Sequence, residues 1–170
     1  MKGSVGDTME RTSDFSLIGK VGEDRRLAHR LGECYDEELQ GIASYLYRSI
    51  MTEELAPGVS ALFDALAREE IRHFRRLGEL ILALGGNPII HTTVKVDPLE
   101  LSEDVPSRMA CVLPRCLRES IREEQMLADR YETLLGRSGD RVVRSVLSSF
   151  ATDEHRHLTL LCKTLEDITC

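Results

Sequence analysis

From Gly22 to about Thr52, apolar residues return every three or four positions. Leu27, Leu31, Cys34, Ile42 and Tyr45 fall on one stripe, with charged residues between them. That period predicts an amphipathic helix. The Pro57-Gly58 pair predicts its closure and a sharp reversal. A second helix is predicted from about Gly58 to Leu84, with Val59, Leu62, Leu66, Leu77 and Ile81 on its stripe, stopped by Gly85-Gly86-Asn87-Pro88. The segment from Asn87 to about Val105 is broken by prolines around a short β-prone run (Ile89, Ile90, Thr92, Thr93, Val94, Val96) and reads as a long connection. A third helix follows to about Gly136, with Leu113, Leu117, Leu127, Tyr131 and Leu135 inward and Pro114 in its first turns or kinking it. The fourth runs from about Asp140 to Asp167 on Val143, Val146, Phe150, Leu161 and Leu165. Four helices of roughly 25 to 30 residues joined short, long, short describe an all-α bundle with one long crossover between helices 2 and 3; length and loops leave a simple up-down bundle open. Residues 1–20 lack periodicity and are rich in Gly, Ser, Thr and charge. They read as a disordered arm ahead of one domain over 21–170.

Each apolar stripe is interrupted by acid. Glu38 lies between Leu31 and Ile42, Glu70 between Leu66 and Leu77, Glu124 between Leu117 and Leu127, and Glu154 between Phe150 and Leu161. A carboxylate in a core stripe needs a partner, because burying an unpaired charge is costly. Two of the four are followed at a spacing of three by histidine, giving Glu70-x-x-His73 and Glu154-x-x-His157. On a helix that spacing puts both side chains on one face, where they can serve one metal site. The other two are followed seven residues later by tyrosine on the same stripe, Tyr45 and Tyr131. The neighbouring acids Glu37, Glu69, Glu123 and Asp153 align with charged residues and read as solvated faces. The two halves thus look duplicated, and pairing them antiparallel brings four glutamates and two histidines to one level. Two divalent ions would neutralise four ionised carboxylates; oxygen ligands with one imidazole per ion suit iron or manganese, with zinc and cobalt as competitors and calcium disfavoured.

Composition narrows the setting. Apolar residues make up 42% and charged residues 30% of the 170, a soluble globular balance, and the net charge of −7 argues against nucleic acid or anionic membrane as partner. The N-terminus lacks the apolar run of a signal peptide and no stretch approaches ~18 apolar residues, so the expected location is cytoplasmic. Five cysteines without a CxxC pair indicate neither a disulfide framework nor a zinc ribbon; most are expected to be buried, with Cys170 exposed. His155 is expected at the surface or just outside the ligands, His29 and His91 as structural or exposed, Tyr35 and Tyr47 as packing and surface residues. Arg72, Arg75 and Arg76 read as an ion-paired face.

The words EELQGIASY, EEIRH, ILALGGNP, EEQMLADRY and DEHRH resemble the ferritin-like superfamily, especially its bacterioferritin and rubrerythrin branch, across about residues 24–167. The resemblance implies a ferritin-like four-helix bundle. In it Glu38 and Glu124 are terminal metal ligands, Glu70 and Glu154 bridge two ions, and His73 and His157 each bind one. Tyr45 and Tyr131 resemble tyrosines that hydrogen-bond near the carboxylates. The implied cofactor is two iron ions, or two manganese ions in the alternative. The implied chemistry is oxidation of Fe(II) by O2 or H2O2, or reduction of peroxide. The alternatives are manganese catalase-like dismutation of H2O2 and a non-enzymatic iron-buffering or structural bundle. Ile71 stands where bacterioferritins carry a haem-ligating Met, so no haem is expected. The chain lacks the CxxC segment of rubrerythrins, which points to an external electron donor. The chain ends soon after its fourth helix, which favours a homo-oligomer smaller than a storage shell, preferably a dimer.

Overall fold

A computed structural model of the chain describes residues 22, 24–96, 98–99 and 104–169. The expected arm at 1–20 and the exposed Cys170 lie outside the described residues. Four helices carry the fold: α1 (Arg25–Thr52), α2 (Pro57–Ala83), α3 (Val105–Arg137) and α4 (Arg141–Thr169). Asp24 caps α1 by accepting the Leu27 N–H at 3.0 Å. Asp140 caps α4 by accepting from Val142 and Val143 at 2.8 and 3.1 Å. Both satisfy amides that a helix start leaves unpaired. Pro57 does not close α1 but opens α2. A first-turn proline loses no helical hydrogen bond, and its fixed φ suits that position. α3 continues through Pro114. At the end of α2, Gly85 takes φ 79°, and a Cβ on Gly86 would lie 2.7 Å from Ala28 Cβ, so the turn packs directly on α1.

The described part of the crossover forms no strand. Its backbone is held by side chains of α1. Asp36 accepts the His91 N–H at 2.9 Å, Gln40 accepts the Lys95 N–H at 2.9 Å while donating to its carbonyl, and Tyr47 Oη accepts the Leu99 N–H at 2.9 Å. The crossover therefore runs alongside α1 in the same direction and delivers the chain to the start of α3. Cross-bundle contacts agree: Tyr45 meets Glu124 while Tyr131 meets Glu38, so α3 is antiparallel to α1. A simple up-down bundle would make these two helices parallel. The result is two hairpins, α1–α2 and α3–α4, packed with α1 against α3 and α2 against α4.

The core is in two pieces. One apolar cluster gathers Leu31, Leu77, Leu80, Tyr131, Leu147 and Phe150 with their neighbours; the other gathers Tyr45, Phe63, Leu66, Leu117 and Leu161 with theirs. Ile42, Leu62, Leu135 and Leu165 are half-buried rather than core. Late in α1 the inward positions are instead Ser44, Arg48, Ser49 and Thr52. Cys34 and Cys116 are buried but Cys111 and Cys162 are exposed, so the expectation that most cysteines are buried fails among the described residues. Among these residues no helix is long and apolar enough to cross a membrane.

Candidate metal centre

Between the two apolar clusters lies a layer of charge. Glu38, Glu70, His73, Glu124, Glu154 and His157 are all at most 5% exposed. They form two overlapping groups, Glu38–Glu70–His73–Glu154 and Glu70–Glu124–Glu154–His157, and within each one ligand atom per residue lies within 4.8 Å of the others. Glu70 and Glu154 belong to both groups. α1 and α3 bring one glutamate each; α2 and α4 bring one Glu-x-x-His each. Sequence spacing and bundle topology together therefore place all six residues where the stripes predicted.

His157 Nδ1 is paired with Glu124 Oε2 at 3.1 Å, but most of the other inward atoms are close without being paired. His73 Nδ1 lies 3.0 Å from Glu154 Oε1 and 3.3 Å from Glu70 Oε2, and His157 Nδ1 lies 3.1 Å from Glu70 Oε1. Yet both oxygens of Glu70, both of Glu154, Glu38 Oε2 and His73 Nδ1 are buried without a hydrogen-bond partner. A folded protein rarely leaves so many buried polar atoms unsatisfied. A mixed oxygen and imidazole donor set that converges on two points, sharing two carboxylates, fits a pair of divalent ions. The cluster is thus compatible with di-metal binding.

Burial and mutual charge shift the layer's carboxyls and imidazoles in opposite senses. Burial and then the Glu70 charge push the Glu38 pKa well up, and burial does the same for Glu124. Burial alone would also raise Glu70 and Glu154, but the adjacent His157 and His73 imidazoles outweigh it and hold both below the usual carboxylate value. Burial alone would lower His73, but Glu154 and Glu70 overcome it and place its pKa at about 10; His157 is likewise raised, against burial, by Glu124, Glu154 and Glu70. In the metal-free layer the shifts thus favour protons on the two histidines and on Glu38 and Glu124, and charge on Glu70 and Glu154. Divalent ions bound among these groups would displace such protons, so metal uptake and proton release would be linked.

Around the cluster sit partners that cross between the hairpins. The Tyr45 hydroxyl donates to Glu124 and the Tyr131 hydroxyl to Glu38, so each tyrosine serves the opposite helix and not the glutamate on its own stripe. Burial and then the accepting carboxylate's charge push both phenols well up, which keeps them neutral donors. The histidines point Nδ1 inward and Nε2 outward. His157 Nε2 lies 3.0 Å from Glu69 Oε2, and His73 Nε2 lies 3.3 Å from Asp153 Oδ2. Such carboxylates fix which imidazole nitrogen carries the proton and leave the other free to ligate.

Glu69 and Asp153 are therefore not simply solvated, as the charge pattern predicted. Each sits one position before a cluster glutamate, about 100° round the helix, which turns it into the groove between α2 and α4. The doublets Glu69-Glu70 and Asp153-Glu154 were the available signal. The predicted outer faces of α1 and α3 also meet each other. Arg48, 5% exposed, forks onto Glu123 at 2.6 and 2.9 Å and reaches Ser120 at 2.8 Å, and Arg130 pairs with Glu33 and Glu37. His155 is half-exposed and pairs with Glu132 at 2.9 Å; His29 and His91 are exposed. Tyr35 stacks on Phe74 with centroids 4.0 Å apart. On the face opposite the histidines, a cavity of about 110 Å³ between α1 and α3 reaches Glu38, Glu70, Glu124 and Tyr45, with Gly41, Met126 and Leu127 in its wall.

The family model for the ferritin-like domain matches residues 30–170. The chain belongs to the ferritin-like family. The match spans both hairpins and all six cluster residues of this ferritin-like protein. No curated protein matches the chain.

Proposed function

We propose that this ferritin-like protein holds two iron ions in the charged layer and uses them to oxidise Fe(II) with O2 or H2O2, or to reduce peroxide. The observation that carries the reading is that Glu70 and Glu154 belong to both ligand groups, with all four of their oxygens buried and unpaired. In this reading Glu70 and Glu154 would serve both ions, Glu38 with His73 would complete one position, and Glu124 with His157 would complete the other. Bound iron would supply paired one-electron steps: two Fe(II) give two electrons, which with two protons convert O2 to H2O2 or H2O2 to two waters. The chain's own residues do the rest. Tyr45 and Tyr131 hold the terminal carboxylates in place, and the outer carboxylates keep both Nδ1 atoms available. The apolar clusters above and below exclude bulk water, and the cavity between α1 and α3 gives a small oxidant access to the carboxylate side. Peroxide reduction without Fe(II) as substrate takes its two electrons from an external donor.

The test is aerobic addition of Fe(II) to metal-free protein. Ferric absorbance should rise faster than in buffer, and faster again with H2O2. No acceleration at any stoichiometry sinks the reading. A large rise in melting temperature on metal binding without turnover would assign the ions a structural or buffering role. Oxygen evolution from H2O2 by manganese-loaded but not iron-loaded protein would move the assignment to dismutation.

A further inference from the structure

The two outer carboxylates are exchanged between helices: Glu69 of α2 holds His157 of α4, and Asp153 of α4 holds His73 of α2. Both converge on one cation. Arg156 Nη2 donates to Glu69 Oε2 and lies 3.5 Å from Asp153 Oδ1. Arg72 occupies the equivalent place on α2, one residue before His73, but its Nη2 lies 3.6 Å from Glu69 and its side chain is 71% exposed. The duplicated halves therefore supply two arginines, and one of them is seated between the outer carboxylates of both histidines.

We propose that Arg156 is a positioning residue that holds Glu69 and Asp153 together, and through them fixes the orientation of both His157 and His73. This rests on the reading of the two histidines as metal ligands. Without the arginine, two carboxylates from neighbouring helices face each other as like charges, and each becomes free to leave its imidazole for water. The Arg156 side chain is 47% exposed, so its ion pairs contribute little to global stability. Its effect falls instead on the placement of the ligands, and on both metal positions at once. Outer partners of metal-bound histidines act in this way by orienting the ring and tuning its basicity.

The test uses full-length protein and the variants R156Q, R156K and R72Q. Co(II) is titrated into each by visible absorbance, and solvent exchange of the two imidazole Nε2–H protons is followed by nitrogen-edited NMR in the metal-free state. R156Q should bind Co(II) about tenfold more weakly at both positions, at the lower end of what outer-partner changes produce. Both imidazole protons should exchange faster, while the melting temperature of the metal-free protein stays near that of wild type. R156K should restore both, since an ammonium carries N–H donors to both carboxylates. R72Q should match wild type. Unchanged binding in R156Q, loss at one position alone, or an equal loss in R72Q overturns the proposal. If wild-type protein takes up no Co(II), the metal reading fails by itself. The exchange rates then still decide the role of Arg156: faster exchange of both protons upholds it, and unchanged rates overturn it.

Discussion

The α1–α2 hairpin and the α3–α4 hairpin give the central layer matching side chains, yet they brace them differently. Inside, Glu38, Tyr45, Glu70 and His73 are answered by Glu124, Tyr131, Glu154 and His157, and all eight are buried. Outside, the match loosens. His157 is held by Glu69 at 3.0 Å, with the glutamate 19% exposed, while His73 is held by the shorter Asp153 at 3.3 Å, with the aspartate 36% exposed. Arg48 is buried where it forks onto Glu123, whereas Arg130 pairs with Glu33 and Glu37 nearer to solvent. Two ions of one kind would require the same donors twice, which is what the inner layer presents. The surrounding layer acts on the donors only through their partners, and its two halves differ in side-chain length and exposure. The difference makes the two candidate positions chemically alike and mechanically unequal.

The largest test removes what the halves share. Glu70→Ala or Glu154→Ala is expected to abolish loading of a metal pair, since each deletes a donor from both positions, whereas Glu38→Ala or Glu124→Ala should cost one ion more than the other. Metals per chain by elemental analysis decide this. Two ions per chain in the Glu70 variant would refute the shared-carboxylate arrangement.

The next effect is set by pH in the metal-free protein. The His73 pKa rises from 6.5 to about 10 on folding, so its contribution is fully present below pH 6.5 and is lost as the pH climbs towards 10. The raised carboxyls Glu38 and Glu124 act in the same direction. The melting temperature of metal-free protein should fall by on the order of 5 °C from pH 7 to pH 10. Loaded protein should show a flatter profile, because its histidines carry no proton on Nδ1. A melting temperature that rises over this range in the metal-free state would contradict the raised His73 pKa.

Sharper still is the comparison of outer carboxylates. Glu69→Gln should weaken metal binding by roughly 10-fold or more, at the position built on His157, and Asp153→Asn should do the same more mildly at the position built on His73. Stepwise Co(II) titrations read both, and equal losses would remove the claimed inequality. The smallest effect is structural. Arg48→Met should destabilise by about 1 to 3 kcal/mol, because it strands the buried Ser120 hydroxyl and one side of Glu123. Arg130→Met should cost about 0 to 1 kcal/mol, as exposed pairs do. Urea denaturation of the two variants measures the difference.

The stripes made the inner layer legible before any coordinates. A carboxylate between leucines at helical spacing has few physical explanations, and four of them with two histidines at a spacing of three fix which faces turn inward. Loop lengths left a simple up-down bundle open, and it was the duplicated Glu and Glu-x-x-His pattern that pointed to two hairpins paired antiparallel. What the pattern did not disclose was the groove. Glu69, Asp153, Glu123 and Arg48 all carry charge, and charge at the edge of a stripe looks the same whether it meets water or another helix. Hydrophobic periodicity locates a helix's inner face to within about a quarter turn. Residues at that margin are decided by which helix lies alongside, and that is a property of the assembled bundle. The proline at 57 illustrates the same limit at short range, since a proline in a turn ends one helix or begins the next, depending on which residues supply the caps.

The division of the core into two apolar clusters gives the molecule a waist. Above and below it, interlocked side chains from all four helices fix the spacing and register of the bundle without reference to what lies between them. Under the proposed reading an ion could therefore leave the waist, or be exchanged for another of similar size, while the ends keep the donors in register for the next arrival. Donor identity at the waist and shape at the ends become separable traits: a changed carboxylate or histidine would alter which ion the waist suits, and the clusters that present it would stay the same.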